Sequence, residues 1–269
     1  MSSEWIDLEL SRRKLLAAAG LATAAPFLGV TAVEAKGEAA AASPPVAGVH
    51  LQFGSDAASE VTVSWHALQA VRRARVLLGH PDGRLEQSVE ARQASYLDAK
   101  AGRAVYAYHA KLSGLQPDTD YLYGALHEGA APEFGTFRTA PRGRSPFTVT
   151  SFGDQGTPTV GRPYKPPQGV TIPNPPFVND NLGSPWAAGT TLGVERLRPL
   201  FHLFNGDLCY ANLAEDRVRT WWDFWENNSR SARKRPWMPS AGNHENELGN
   251  GPIGYLAYQT YFSVPEAAG

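Results

Sequence analysis

A β-sandwich followed by an α/β domain is the fold this 269-residue sequence predicts, and three features predict it. Short alternating apolar runs recur between residues 46 and 140, with turn residues between them. Beyond residue 146 come strand-length apolar runs that stop at Gly-Asp or Gly-Asn steps, with helix-like segments between them. The stretch Pro141–Pro146 separates the two patterns as an interdomain linker.

Residues 1–45 come first and belong to neither domain. Arg12 and Arg13 open an uncharged, alanine-rich stretch that runs to Val33, and Val33–Ala35 supplies small residues for cleavage. This is the pattern of a twin-arginine export signal, which predicts a periplasmic or secreted protein and the export machinery as a partner. Gly20, Pro26 and the many alanines keep the stretch weakly hydrophobic, so no stable membrane anchor is expected. A formal net charge of -1 gives no global drive toward nucleic acid. The one cysteine, Cys209, cannot form an internal disulfide and reads as a buried filler.

The sandwich is predicted over residues 46–140. Alternation is clear in Val49–Phe53, Val61–Trp65, Ala74–Leu78, Val105–Tyr108 and Phe134–Phe137, with Trp65 between the sheets. Leu115–Tyr123 has the form of a tyrosine corner entering a late strand, as in fibronectin type III domains. His50, His66, His80, His109 and His127 are scattered through this region and read as surface or packing residues.

In the second region, Phe147–Phe152, Phe201–Phe204 and Trp237–Ala241 read as buried parallel strands, and His202 as a core histidine. The segments 191–198 and 216–228 read as helices, the second packing Trp221, Trp222, Phe224 and Trp225 onto the sheet. The basic residues Arg217, Arg219, Arg230, Arg233, Lys234 and Arg235 read as a solvated helix face and end. Between Asp154 and the second strand lies a proline-crowded stretch that excludes a regular helix and reads as a stiff loop.

The chemistry sits where the strands end. Gly153-Asp154-Gln155-Gly156, Gly206-Asp207-Leu208-Cys209-Tyr210 and Gly242-Asn243-His244-Glu245 each place a hard oxygen donor just after a glycine. Open α/β sheets bind ligands beyond the carboxyl ends of their strands, where glycine lets the backbone turn sharply. Asp207 is placed to bridge two cations, with Asp154 on one and Asn243 on the other. Tyr210 is the donor most diagnostic of metal type, because a phenol binds as phenolate only beside a strongly acidic cation.

These three blocks, in this order, resemble those of the purple acid phosphatases, within the calcineurin-like metallophosphoesterases. The resemblance implies a fibronectin type III-like domain over 46–140 and the N-terminal half of a four-layer α/β/β/α catalytic domain over 146–269. It implies Fe(III) on Asp154, Asp207 and Tyr210, and Fe(II), Zn(II) or Mn(II) on Asp207 and Asn243. His244 would act catalytically on the phosphate or the leaving group. The implied reaction is hydrolysis of a small phosphate monoester by metal-bound hydroxide in mild acid, and the sandwich would serve a structural role or as a homodimer surface. The family's later Val-x-x-His and Gly-His-x-His blocks do not occur here, and no histidine follows His244. The sequence therefore reads as a truncated form that holds both ions weakly. Two further readings stay open: an exported phosphodiesterase or nucleotidase on the same scaffold, and a non-catalytic binding remnant.

Overall fold

A computed structural model describes residues 43–157 and 187–265, with 162–163, 168–171, 173 and 177–178 between them. The predicted export signal lies outside the described residues, as does much of the proline-crowded stretch. Among the described residues no helix is long and apolar enough to cross a membrane.

The first half is a two-sheet antiparallel sandwich. One sheet has the order β1 (Ala47–Phe53), β2 (Val61–Ala67), β6 (Ala104–Leu112), β5 (Arg92–Leu97), and the other β4 (Leu85–Glu90), β3 (Arg75–Gly79), β7 (Asp120–Leu126), β8 (Glu133–Arg138). Trp65 is fully buried between them and stacks on Tyr108 at 5.7 Å. The tyrosine corner closes as expected, the Tyr121 hydroxyl accepting from the Gln116 amide at 2.8 Å. β4 and β5 were not predicted. Their sequences are mostly polar and exposed, as suits edge strands, with Tyr96 of β5 the one buried side chain between them.

The second half is built on three parallel strands in the order β13 (Trp237–Ser240), β12 (Phe201–Asn205), β9 (Val149–Phe152). A two-residue pair, β10 (Arg162–Pro163) and β11 (Phe177–Val178), lies in the intervening stretch. Thr150, His202, Phe204 and Trp237 are buried on the sheet. Helix α1 (Ala187–Glu195) starts and stops earlier than predicted. Pro199 disfavours helical geometry in the residue before it, and Arg198 sits at φ 50. Helix α2 (Arg217–Ala232) begins where Asp216 caps it, accepting from the Arg219 amide at 2.9 Å. A short helix, α3 (Leu256–Tyr261), follows the last block.

Buried contacts bridge the two halves on either side of the largely exposed stretch at Pro141–Pro146. The described residues form one compact unit. Tyr96 and Val105 of the sandwich belong to the same buried cluster as Phe204, Trp221, Phe224 and Trp237. His50 stacks on Trp225 of α2 at 3.8 Å. Its Nε2 lies 2.8 Å from the Tyr261 carbonyl, and the Nε2 of His109 lies 3.0 Å from that of Thr260. Two sandwich histidines thus satisfy carbonyls that the last turn of α3 leaves free. Burial holds both rings down to a pKa of about 4, so each is neutral.

The basic stretch is not uniformly a solvated face. Arg217 is buried, its guanidinium donating to the Leu248 carbonyl at 2.9 Å. Arg233 and Arg235 are partly buried on Glu133 and Glu195. These partners are distant in sequence, so local charge density alone did not reveal them.

Candidate metal centre

Each of the three blocks leaves the carboxyl end of one parallel strand. β9 runs into Gly153-Asp154, β12 into Gly206-Asp207, and β13 through Ala241 into Gly242-Asn243. Pairing of Phe204 with Phe152 and of Asn205 with Ser240 brings all three exits level at one sheet edge. The exits are then packed backbone on backbone. Gly206 adopts φ +83, and a Cβ there would meet the Gly242 Cα at 2.7 Å, so only glycine fits. The Asp154 amide donates to the Gly206 carbonyl at 3.2 Å, and the Gly156 amide to that of Leu208 at 3.0 Å.

Three non-glycine residues in this one place have left-handed backbone: Asp154 (φ 52), Asp207 (φ 51) and Tyr210 (φ 58). Aspartate tolerates this region, but a bulky tyrosine there costs about 1–2 kcal/mol. Such strain persists only where the surroundings over-determine it, and it gathers at functional sites. The turn projects Tyr210 so that its hydroxyl donates to Asp154 Oδ1 at 3.1 Å. Burial first, then this bond and the Asp154 charge, push the Tyr210 phenol above its ordinary pKa.

Glu245 staples the second and third blocks together. Its buried carboxylate accepts from the amides of Asp207 at 2.9 Å, Leu208 at 2.7 Å and Gly242 at 2.7 Å. Burial raises the Glu245 pKa, and these three hydrogen bonds oppose that rise. Asn243 is exposed and opens the short 3-10 turn Asn243–Glu245. The next amide in that turn, His244 N–H, donates to Asp207 Oδ1 at 3.0 Å. The His244 ring packs on that of Tyr210 at 4.4 Å between centroids, and its Nδ1 lies 3.1 Å from Asn212 Oδ1. With Nδ1–H donating to Asn212, Nε2 is left for a further partner.

The structure therefore brings together Asp154, Asp207, Tyr210 and His244, with Asn243 one residue from the last. Among the described residues no three of His, Cys, Asp and Glu gather as a metal-holding cluster. The donors here are of another kind, two carboxylates with a phenol and an amide. All four side chains carry a hard oxygen donor, the kind that suits a hard or strongly acidic cation. The donor set fits the cations that the sequence resemblance implies.

Two supporting residues escaped the sequence reading. Asn212 orients His244, and Gln155 ties the first block to α1 and α2. Gln155 donates to the Ala187 carbonyl at 3.1 Å, and it exchanges hydrogen bonds with Asn228 of α2 at 2.9 and 2.8 Å. Gln155 fills the variable position of its block, so nothing local singled it out.

Comparison with known proteins agrees with this architecture. Residues 46–139 match the family model for the purple acid phosphatase N-terminal domain. A Mycobacterium tuberculosis protein, Rv2577, is 56% identical over 225 residues, covering 84% of this chain and 41% of that protein. A phosphoenolpyruvate phosphatase of Allium cepa is 27% identical over 228 residues, covering 82% of this chain and 41% of its own length. The structure of purple acid phosphatase PPD1 from yellow lupin seeds superposes with a TM-score of 0.62 at 22% identity, covering 84% of this chain and 42% of that one. The chain thus spans about two-fifths of the length of these relatives. Residues 46–139 thus carry the purple acid phosphatase N-terminal domain, and with the parallel sheet behind it the chain is similar in sequence and fold to the purple acid phosphatases.

Proposed function

We propose that this chain supplies the Asp-Asp-Tyr-Asn part of a dinuclear site in an exported phosphatase that hydrolyses small phosphate monoesters. The observation that carries the reading is the strained convergence of Asp154, Asp207 and Tyr210 at one sheet edge, closed by the Tyr210–Asp154 hydrogen bond. Asp154, Asp207 and Tyr210 would hold a ferric ion, and Asp207 and Asn243 a divalent iron, zinc or manganese. When bound, such a pair supplies Lewis acidity toward a phosphoryl oxygen and toward water.

The chain's own residues do the rest. Asp154 and Asn243 are exposed, so the site opens to solvent and to a substrate. Asn212 fixes the His244 ring with Nε2 available to hydrogen-bond a phosphoryl or leaving-group oxygen, and there it can hold or deliver a proton. Glu245 keeps Asp207 and the Asn243–Glu245 turn in register, so the donors need little rearrangement on metal uptake.

The test is metal-dependent hydrolysis of an aryl phosphate by a protein that also carries the family's two later histidine blocks. Asp207→Asn should abolish it, and the 269-residue chain alone should run at least about 100-fold slower. Hydrolysis indifferent to Asp207→Asn would overturn the reading. Export by the twin-arginine route is part of the proposal, carried by Arg12 and Arg13, and replacing both with lysine should leave the precursor in the cytoplasm.

A further inference from the structure

The loop that leaves the Asn243–Glu245 turn does not rest on its own half of the molecule alone. Glu247, two residues beyond Glu245, is fully buried. Its Oε1 accepts from the indole N–H of Trp221 on α2 at 2.6 Å, and its Oε2 accepts from the Asn250 amide at 2.6 Å. That amide also donates to Asp98 Oδ2 at 2.8 Å, while Asn250 Oδ1 accepts from the Ala99 backbone at 2.8 Å. Asp98 and Ala99 belong to the turn between β5 and β6 of the sandwich. Asp98 is itself fully buried and anchored by the Ala101 amide at 2.6 Å. Arg217 completes the joint, donating to the Leu248 carbonyl at 2.9 Å with its guanidinium 3.8 Å from Asp98.

A buried network of two carboxylates, an amide, an indole and a guanidinium costs desolvation wherever it is placed. In return it fixes geometry, because both amide hydrogens and the oxygen of Asn250 are used and a shifted loop would leave buried groups unpaired. The fixed loop is the one that ends the turn carrying Asn243, His244 and Glu245. We propose that the β5–β6 turn of the sandwich is a positioning element of the candidate metal centre, with Asp98 acting through Asn250 and Glu247 to set where Asn243 and His244 stand. This rests on the proposed function only for its consequence in metal binding, since the positioning itself can be read without metal.

The experiment uses the 269-residue chain and Asn250→Leu, with Tyr123→Phe as the control. Tyr123 makes a different contact between the sandwich and the second half, its hydroxyl donating to the Arg233 carbonyl at 2.8 Å. Hydrogen exchange should quicken at least about tenfold at the Gly242 and His244 amides in Asn250→Leu and less than about threefold in Tyr123→Phe. In parallel, broadening of the Asp154 and His244 amide signals by Mn2+ alone should need about 10-fold more metal in Asn250→Leu and an unchanged amount in the control. If Asn250→Leu does not fold, Asp98→Asn, which keeps one acceptor oxygen, takes its place with the same expectations. Faster exchange confined to residues 246–256 and 98–101, with Gly242 and His244 unchanged, overturns the proposal, and so does an equal effect in the control. If the unmodified chain shows no Mn2+ broadening, the metal reading fails, and the exchange result still decides the positioning role.

Discussion

The phenolic oxygen of Tyr210 donates to a carboxylate oxygen of Asp154 across 3.1 Å, although 56 residues separate the two along the chain. Only the parallel pairing of β9 with β12 brings them together, and only the left-handed turn at Tyr210 aims the ring back toward Asp154. Tyr210→Phe keeps the ring against His244 and deletes the oxygen. In a protein that also carries the later histidine blocks, Fe3+ should give a visible tyrosinate-to-iron band, and the variant should lack it. Stability should change by less than about 1 kcal/mol, the worth of one ordinary hydrogen bond. An unchanged band in the variant would assign the colour to another residue and sink this role.

Glu245 is the joint whose loss should be felt most widely. In Glu245→Ala three backbone amides lose their acceptor at a nearly fully buried point. At about 1–3 kcal/mol for each buried unsatisfied donor, a loss of at least roughly 3 kcal/mol is expected, with water repairing part of the rest. Urea unfolding of the pair measures it, and a loss below about 1 kcal/mol would show that the staple is not structural.

His66 should make the fold sensitive to acid. Among the described residues neither of its ring nitrogens has a hydrogen-bond partner, and the ring is wedged edge-on against Trp222 and Tyr261. Burial, and then the His50 charge, push its pKa down to about 3 from an ordinary 6.5. The unfolded chain therefore takes up a proton that the folded chain refuses. The stability this represents is fully present above about pH 6.5 and is lost as pH falls from there toward about 3. One such group contributes about 1.4 kcal/mol per pH unit, so His66→Leu should lose about 2 kcal/mol less than wild type between pH 6.5 and 5. Equal losses, measured by denaturant titration at both pH values, would refute the assignment.

Glu195 sets a second, lower limit. Burial alone would raise its carboxyl, but hydrogen bonds from His202, Ser231 and Arg235 and the Arg235 charge overcome this and hold the pKa at about 2 against an ordinary 4.5. A depressed carboxyl contributes stability present above about pH 4.5 and lost as pH falls toward about 2. The contribution is roughly 3 kcal/mol at most, reduced because the side chain keeps about a fifth of its exposure. Glu195→Gln should lower the melting temperature at pH 7 and flatten its decline below pH 4.5. A decline as steep as that of wild type would place the acid lability elsewhere.

The parts legible in the sequence were those whose cause is local. Gly206-Asp207 and Gly242-Asn243 were legible because glycine, donor and strand end lie side by side. The start of α2 was legible because Asp216 caps its own neighbour, Arg219. Gln155, Asp98 and Asn250 were not, because the partners that tie them to other elements lie 32 to 152 residues away and their own surroundings carry no pattern. Arg217 misled for the same reason. Surrounded by other basic residues it looks like surface, and only the arrival of Leu248 and Asp98 makes it interior.

Cys209 sits between Leu208 and Tyr210 with no exposed surface, and burial pushes its thiol well above its ordinary pKa. As the one sulfhydryl in the sequence, it cannot meet an alkylating reagent until the turn carrying Asp207 and Tyr210 lifts away from the sheet. The protein thus carries its own clock for that opening. The rate at which a thiol reagent captures Cys209 from the native state counts how often the donor-bearing turn comes apart, with no engineered label.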